Sequence, residues 1–162
     1  MAITKEQAEA LLRAYIEKQT AATEAAIAAH DRETDEAVKQ TESAAEADRR
    51  EALTEERAQY EKAAVQAMID RYAVAQTLAK LGLSRSGTAD AMGEAVTVRR
   101  TVAERQASDK RARALSALSE RLLTAREQAA AKKEKNAAAA RRTLAGKIAE
   151  KTVTLNRAAI GG

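Results

Sequence analysis

Three features of the sequence predict an all-α fold: an elongated antiparallel hairpin of two long helices, oligomeric through its faces. The chain has no proline, and its first glycine is Gly82. Small and apolar residues recur with an eleven-residue period in both halves. The halves also differ in charge. Residues 1–81 carry 11 Lys+Arg and 16 Asp+Glu, a net −5, and residues 82–162 carry the other 17 and 8, a net +9. Two helices of opposite sign that double back at the glycine satisfy all three.

Composition rules out most alternatives. The 162 residues include no cysteine, tryptophan or phenylalanine, and the only aromatic residues are Tyr15, Tyr60 and Tyr72. The 45% hydrophobic content is largely alanine, the best helix former but one that buries little area. Ordering a chain costs about 1–2 kcal/mol per residue, which a core of alanines does not offset in a single rounded globule. Long helices packed on each other and on further copies fit better. Without cysteine there is no disulfide framework or thiol chemistry. Charged residues from Lys5 to Glu9, with no apolar run behind them, do not read as a signal peptide. Nothing approaches the roughly 18 apolar residues of a membrane span.

The first helix is expected over about residues 5–80, after a Met1-Ala2-Ile3 lead. Thr4 and Gln7 form a capping-box pattern, and Glu6 and Glu9 suit the positive end of the helix dipole. Unbroken, this helix would be about 114 Å long. Its weakest places are the polar run Asp31 to Glu36 and the stretch Glu46 to Arg57. A stripe in 4-3-4-4 steps runs from Leu12 through Ile16, Gln19, Thr23 and Ile27 to Val74 and Leu78. It passes His30, Thr34, Ala45, Arg49, Glu56, Tyr60, Ala67 and Arg71. Eleven residues in three turns are about 3.67 per turn, which favours straight or slightly right-handed packing over a heptad coil. A neighbouring stripe, Val65, Met68, Ile69, Tyr72, Ala75, Gln76 and Ala79, is expected to widen the apolar face and place the best core at the hairpin tip.

The turn is expected over about residues 81–88. Gly82 is suited to the left-handed conformation that closes a helix, with Leu83 folding back as the apolar contact of a Schellman cap. Ser84, Ser86 and Thr88 are candidates to accept from the free N–H groups of the next helix, and Gly87 adds a second break. The second helix is expected over about 89–159. Its stripe begins at Leu115, Leu118 and Leu122, passes Arg126, and continues through Lys133, Leu144, Ile148 and Lys151 to Leu155 and Ala159. Gly93 and Gly146 inside it would mark close backbone approaches or small bends. Ile160-Gly161-Gly162 should fray or hook onto a neighbour.

Folding at about residue 84 sets residue i beside roughly 169 − i. The acidic run Asp31 to Glu36 then faces the window of Lys132, Lys133, Lys135, Arg141 and Arg142. Such pairs set register and partner choice more than stability. The same five cations are the candidate contacts to DNA phosphates or to a partner.

Catalytic and metal chemistry are not expected. His30 is the only histidine and reads as a polar residue of the seam. The carboxylates lie on helical surfaces beside Arg or Lys, with no pocket to shift them. The spacing of Gly82 and Gly87 is not a phosphate loop, because Thr88-Ala89 stands where Lys-Ser/Thr would be needed. The basic half lacks aromatic stacking groups and any helix-turn-helix pattern. Its apolar face is too alanine-rich for a membrane-surface helix. No cofactor, membrane or small-molecule substrate is expected.

The segment from Val74 to Thr88, with Leu81-Gly82-Leu83 and Ser86-Gly87, resembles an LGL-x-x-SG turn found in small helical virion proteins encoded among the structural genes of tailed bacteriophages. Arg85 stands where those proteins commonly have an acidic residue, and Thr88 where they have leucine. The second helix is also richer in Arg and Lys than their Gln-rich pattern. The resemblance covers residues 74–88. It implies a multi-copy structural component of the virion, made in the host cytoplasm, at the portal, neck or tail. Its partners would be copies of itself and other virion proteins. Two other readings of the sequence are a basic helical protein that coats or condenses DNA through residues 126–157, and a stalk-like cellular scaffold.

Overall fold

The computed structural model of the chain describes residues Thr4–Ile160, Ile160 by its backbone alone. The expected lead at Met1-Ala2-Ile3 and the Gly161-Gly162 end lie outside the described residues. Two helices make up the fold: α1, Lys5–Lys80, and α2, Gly87–Ile160. The chain is an all-α helical hairpin, and no strand occurs among the described residues. Helix α1 runs without interruption through Asp31 to Glu36 and Glu46 to Arg57, the places expected to be weakest.

Local chemistry fixes both ends of α1. The Thr4 N–H donates to Gln7 Oε1 (3.0 Å) and the Gln7 N–H donates to Thr4 Oγ1 (3.2 Å). This reciprocal capping box satisfies two donors that the first turn would otherwise leave open. At the other end, Gly82 has φ +69°. The Leu83 N–H donates to the Leu78 carbonyl (2.9 Å) and the Gly82 N–H to the Ala79 carbonyl (3.2 Å). These are the two bonds of a Schellman closure. Its apolar half is weak, since Leu83 stays 40% exposed.

The start of α2 corrects the expected turn. Gly87 and Thr88 are helical, so the connection is Leu81 to Ser86. The Ser86 hydroxyl does not accept from the new helix but donates to the Leu83 carbonyl (2.8 Å), as the Ser86 N–H also does (3.2 Å). The Ala89 N–H instead takes the Ser86 carbonyl (2.8 Å). Ser86 thus closes a tight turn backward, a competing use of a short hydroxyl side chain.

By packing, the described residues divide into two units, 4–41 with 123–160, and Glu42–Leu122. In the Glu42–Leu122 unit the buried positions of α1 are Ala45, Glu56, Ala67 and Leu78, and those of α2 are Val96 and Ala107. Each set is spaced by eleven. Eleven residues at 100° overshoot three full turns by only about 20°, so the same face returns. In the other unit Thr34 is buried one further step back in α1, with Ala8 and Leu155 also buried. The Thr34 hydroxyl donates to the His30 carbonyl (2.8 Å), which satisfies its polar group inside the seam. In α2, half-buried Leu118, Ala129, Ala140 and Lys151 continue the same spacing.

The helices pair close to the expected register. In the Glu42–Leu122 unit, Lys110 Nζ lies 2.8 Å from Glu55 Oε2, Arg111 Nη1 2.8 Å from Glu56 Oε2, and Arg121 Nη1 3.8 Å from Asp48 Oδ2. Arg71 Nη2 donates to Thr97 Oγ1 at 3.2 Å. In the other unit Lys133 Nζ reaches Asp35 Oδ1 at 2.7 Å, and Lys151 Nζ sits 5.6 Å from the Tyr15 ring centroid. The two residue numbers in every pair add to between 165 and 169.

Several stripe residues nevertheless remain exposed. His30 is exposed, its side chain 60% accessible and its Nδ1 3.4 Å from Glu33 Oε2; half-buried Asp31 takes its level in the seam. Arg49, Tyr60 and Arg71 are exposed as well. All three follow a buried residue by four, and all are long polar or aromatic side chains. At the same position in the other unit, Ile16, Ile27 and Val38 are half-buried. The seam is therefore broader where that position is a branched aliphatic. In α2 only Arg126 departs from the expected stripe by being exposed. A Cβ added at Gly93 or Gly146 would meet nothing within 4 Å, so neither glycine marks a close backbone approach.

Candidate interaction surface

Two features of the Glu42–Leu122 unit stand out: a charged cluster inside the seam and a set of large apolar groups outside it. Glu56 falls where the eleven-residue spacing places it in the seam, between the alanine levels of Ala45 and Ala67. Its side chain is 8% exposed. Both carboxylate oxygens are used: Oε2 accepts from Arg111 Nη1, and Oε1 accepts from the Tyr60 hydroxyl at 3.2 Å. Arg111 Nε is buried without a hydrogen-bond partner. A half-buried guanidinium and a buried carboxylate gain little net stability over an apolar pair. They penalise any sliding of the helices that separates them, so the cluster acts as a register lock. The sequence signal for it was a glutamate at a stripe position amid alanines.

The apolar groups lie on the opposite side of α1. Val65 is 56% exposed, Met68 71%, Ile69 55% and Tyr72 69%. Val65 and Tyr72 each precede a seam residue, Ala67 and Val74, by two positions, which is about 200° around a helix. The stripe expected to widen the core is thus turned away from α2. On α2, Val98 and Val102 are also exposed, and Val98 follows buried Val96 by two positions. Beside the turn, a groove of about 820 Å³ is lined by Arg71, Val74, Ala75 and Leu78 of α1, Ser84, and residues of α2 including Gly93, Glu94, Val96 and Val98. Contiguous exposed groups of this size mark contact sites more often than single exposed residues do.

The cations proposed to contact DNA or a partner only partly share a face. Lys133 is engaged with Asp35. Lys132, Lys135, Arg141 and Arg142 are exposed. Adjacent residues diverge by about 100°, so Lys132 and Lys133 point to different sides, as do Arg141 and Arg142. Exposed Lys132, Lys135 and Arg142 fall within about 80° of one another on α2, while Lys133 and Arg141 point to other sides. Of the turn residues, Gly82, Leu83 and Ser86 act in the closure described above, while Ser84 lines the groove and Gly87 opens α2.

Among the described residues no group of three His, Cys, Asp or Glu side chains could hold a metal ion. No helix among the described residues is long and apolar enough to cross a membrane. Against known protein families, curated proteins and solved structures, the chain finds no match.

Proposed function

We propose that the chain is a non-enzymatic structural component of a phage particle, present in several copies and packing through its helices on a portal, neck or tail ring or tube. The observation that carries this reading is the exposed row Val65, Met68, Ile69 and Tyr72, which faces away from α2. A side chain of this size contributes about 1.5–3 kcal/mol when fully buried, a gain that only another chain could supply on that side. The assignment to a phage particle rests on residues 74–88. Within them, Leu81-Gly82-Leu83 has the pattern that a Schellman closure requires, with the glycine at φ +69°.

Sedimentation velocity of the full chain tests the reading. Reversible association at micromolar concentration is expected, together with its loss in a Met68→Glu/Tyr72→Glu variant that keeps its helical circular dichroism. A wild-type chain that stays monomeric up to 100-fold above that range would sink it. Mass spectrometry of purified particles tests the location.

A second reading, DNA coating, is favoured by the charge of α2, which has 16 Lys+Arg and 8 Asp+Glu, a net +8. It requires salt-dependent affinity that falls when Lys132, Lys135, Arg141 and Arg142 are neutralised.

A further inference from the structure

We infer that copies of the chain dock side by side, with the outer face of α1 in one copy against the outer face of α2 in the next. This rests on the multi-copy reading above and names its interface. The occupant of the exposed row on α1 is then the corresponding face of α2 on a second copy, around Val98 and Val102.

Charge favours this pairing over its rivals. Helix α1 carries 11 Lys+Arg and 16 Asp+Glu, a net −5, and α2 is net +8. Pairing α1 with α1, or α2 with α2, sets like charges together, whereas α1 with α2 joins opposite ones. It also repeats between copies the antiparallel acid–base pairing already made within one.

Register supports the same pairing. Place two copies with their turns at one end, and let residue numbers across the new contact add to about 167, as they do inside each copy. Val65 then meets Val102, and Ile69 meets Val98, which matches the exposed apolar groups of the two faces. One turn further from the tip, Glu61 falls beside Arg105. Relative to the midline of its own apolar row, each lies about 30–40° off to the same side, so the two charges meet in an antiparallel contact. Both residues are exposed. The two faces differ, so each copy offers one and receives the other. Such a heterologous contact continues into a ring or an open row rather than stopping at a pair.

The chain has no cysteine, so single-cysteine variants report neighbours without background. Ile69→Cys and Val98→Cys copies are mixed at the associating concentration and oxidised mildly. The expected product is a 69–98 bond between chains, at least about tenfold above 69–69 or 98–98, since a disulfide needs closely spaced backbones. Glu61→Arg alone should weaken association several-fold or more, and adding Arg105→Glu in the same chain should restore it. The melting curve at low concentration should be unchanged in both variants. Predominant 69–69 bonds, or a double variant no better than the single one, would overturn the proposed interface while leaving the multi-copy reading in place. A chain that stays monomeric throughout would overturn both.

Discussion

Between residues 63 and 79, the two sides of α1 are built in opposite ways. The side against α2 carries Ala63, Ala67, Val74 and Leu78, of which Ala67 and Leu78 are buried. The side facing away carries Val65, Met68, Ile69 and Tyr72, all more than half exposed. The smaller groups are mostly inside and the larger ones outside, the reverse of a self-contained core. Alanine on the inside lets two helices approach closely and keeps them in register, but buries little area per residue. Most of the apolar surface of this segment is therefore left for contacts beyond the chain.

This contrast can be broken by substitution. The largest effect should come from Leu78→Ala, which removes a buried side chain and costs about 2–5 kcal/mol in urea unfolding. Met68→Ala, ten residues earlier on the outer side, should change stability by less than about 0.5 kcal/mol at a concentration too low for association. Equal losses would mean that the two sides had been misassigned. Next comes the buried cluster. Glu56→Ala strips Arg111 and Tyr60 of their partner and should cost about 1.5–3 kcal/mol. Glu55→Ala breaks a pair whose side chains are 52% and 69% exposed and should cost less than about 1 kcal/mol, diminishing with added salt. A loss of about 1–2 kcal/mol, between those of the two glutamate variants, is expected for Gly82→Val, because a β-branched residue is strained at φ +69°. A neutral result there would mean that the Schellman closure does not form in solution.

Much of this fold was legible from the sequence. The bounds of α1, the Thr4–Gln7 cap, the glycine closure and the register followed from rules that act within a few residues or from a single period. Side-chain reach was less legible. His30 and Arg49 obey the period but project out of the seam, because a long polar side chain near the edge of a narrow contact can reach solvent at little cost, while Tyr60 and Arg71 stay exposed at its edge with their polar tips on Glu56 and Thr97. The outer apolar row illustrates a different limit. Periodicity tells which residues share a face, not which of two apolar faces meets the partner helix. The hydroxyl of Ser86 shows a third, since a serine at a helix start can turn its side chain forward or backward with similar local geometry. The Glu56–Arg111–Tyr60 cluster needed the fold to bring its members together, although its glutamate stood out among alanines.

The spacing of Thr34, Ala45, Glu56, Ala67 and Leu78 makes length a stepped property of this design. Removing one block of eleven residues from each helix at matching levels would turn the remaining layers by only about 20°. Removing five or six residues would turn the remainder by about 120–140°, and trimming one helix alone would slide it out of register. Each such matched loss would shorten both helices by about 16.5 Å and leave their shared face in place.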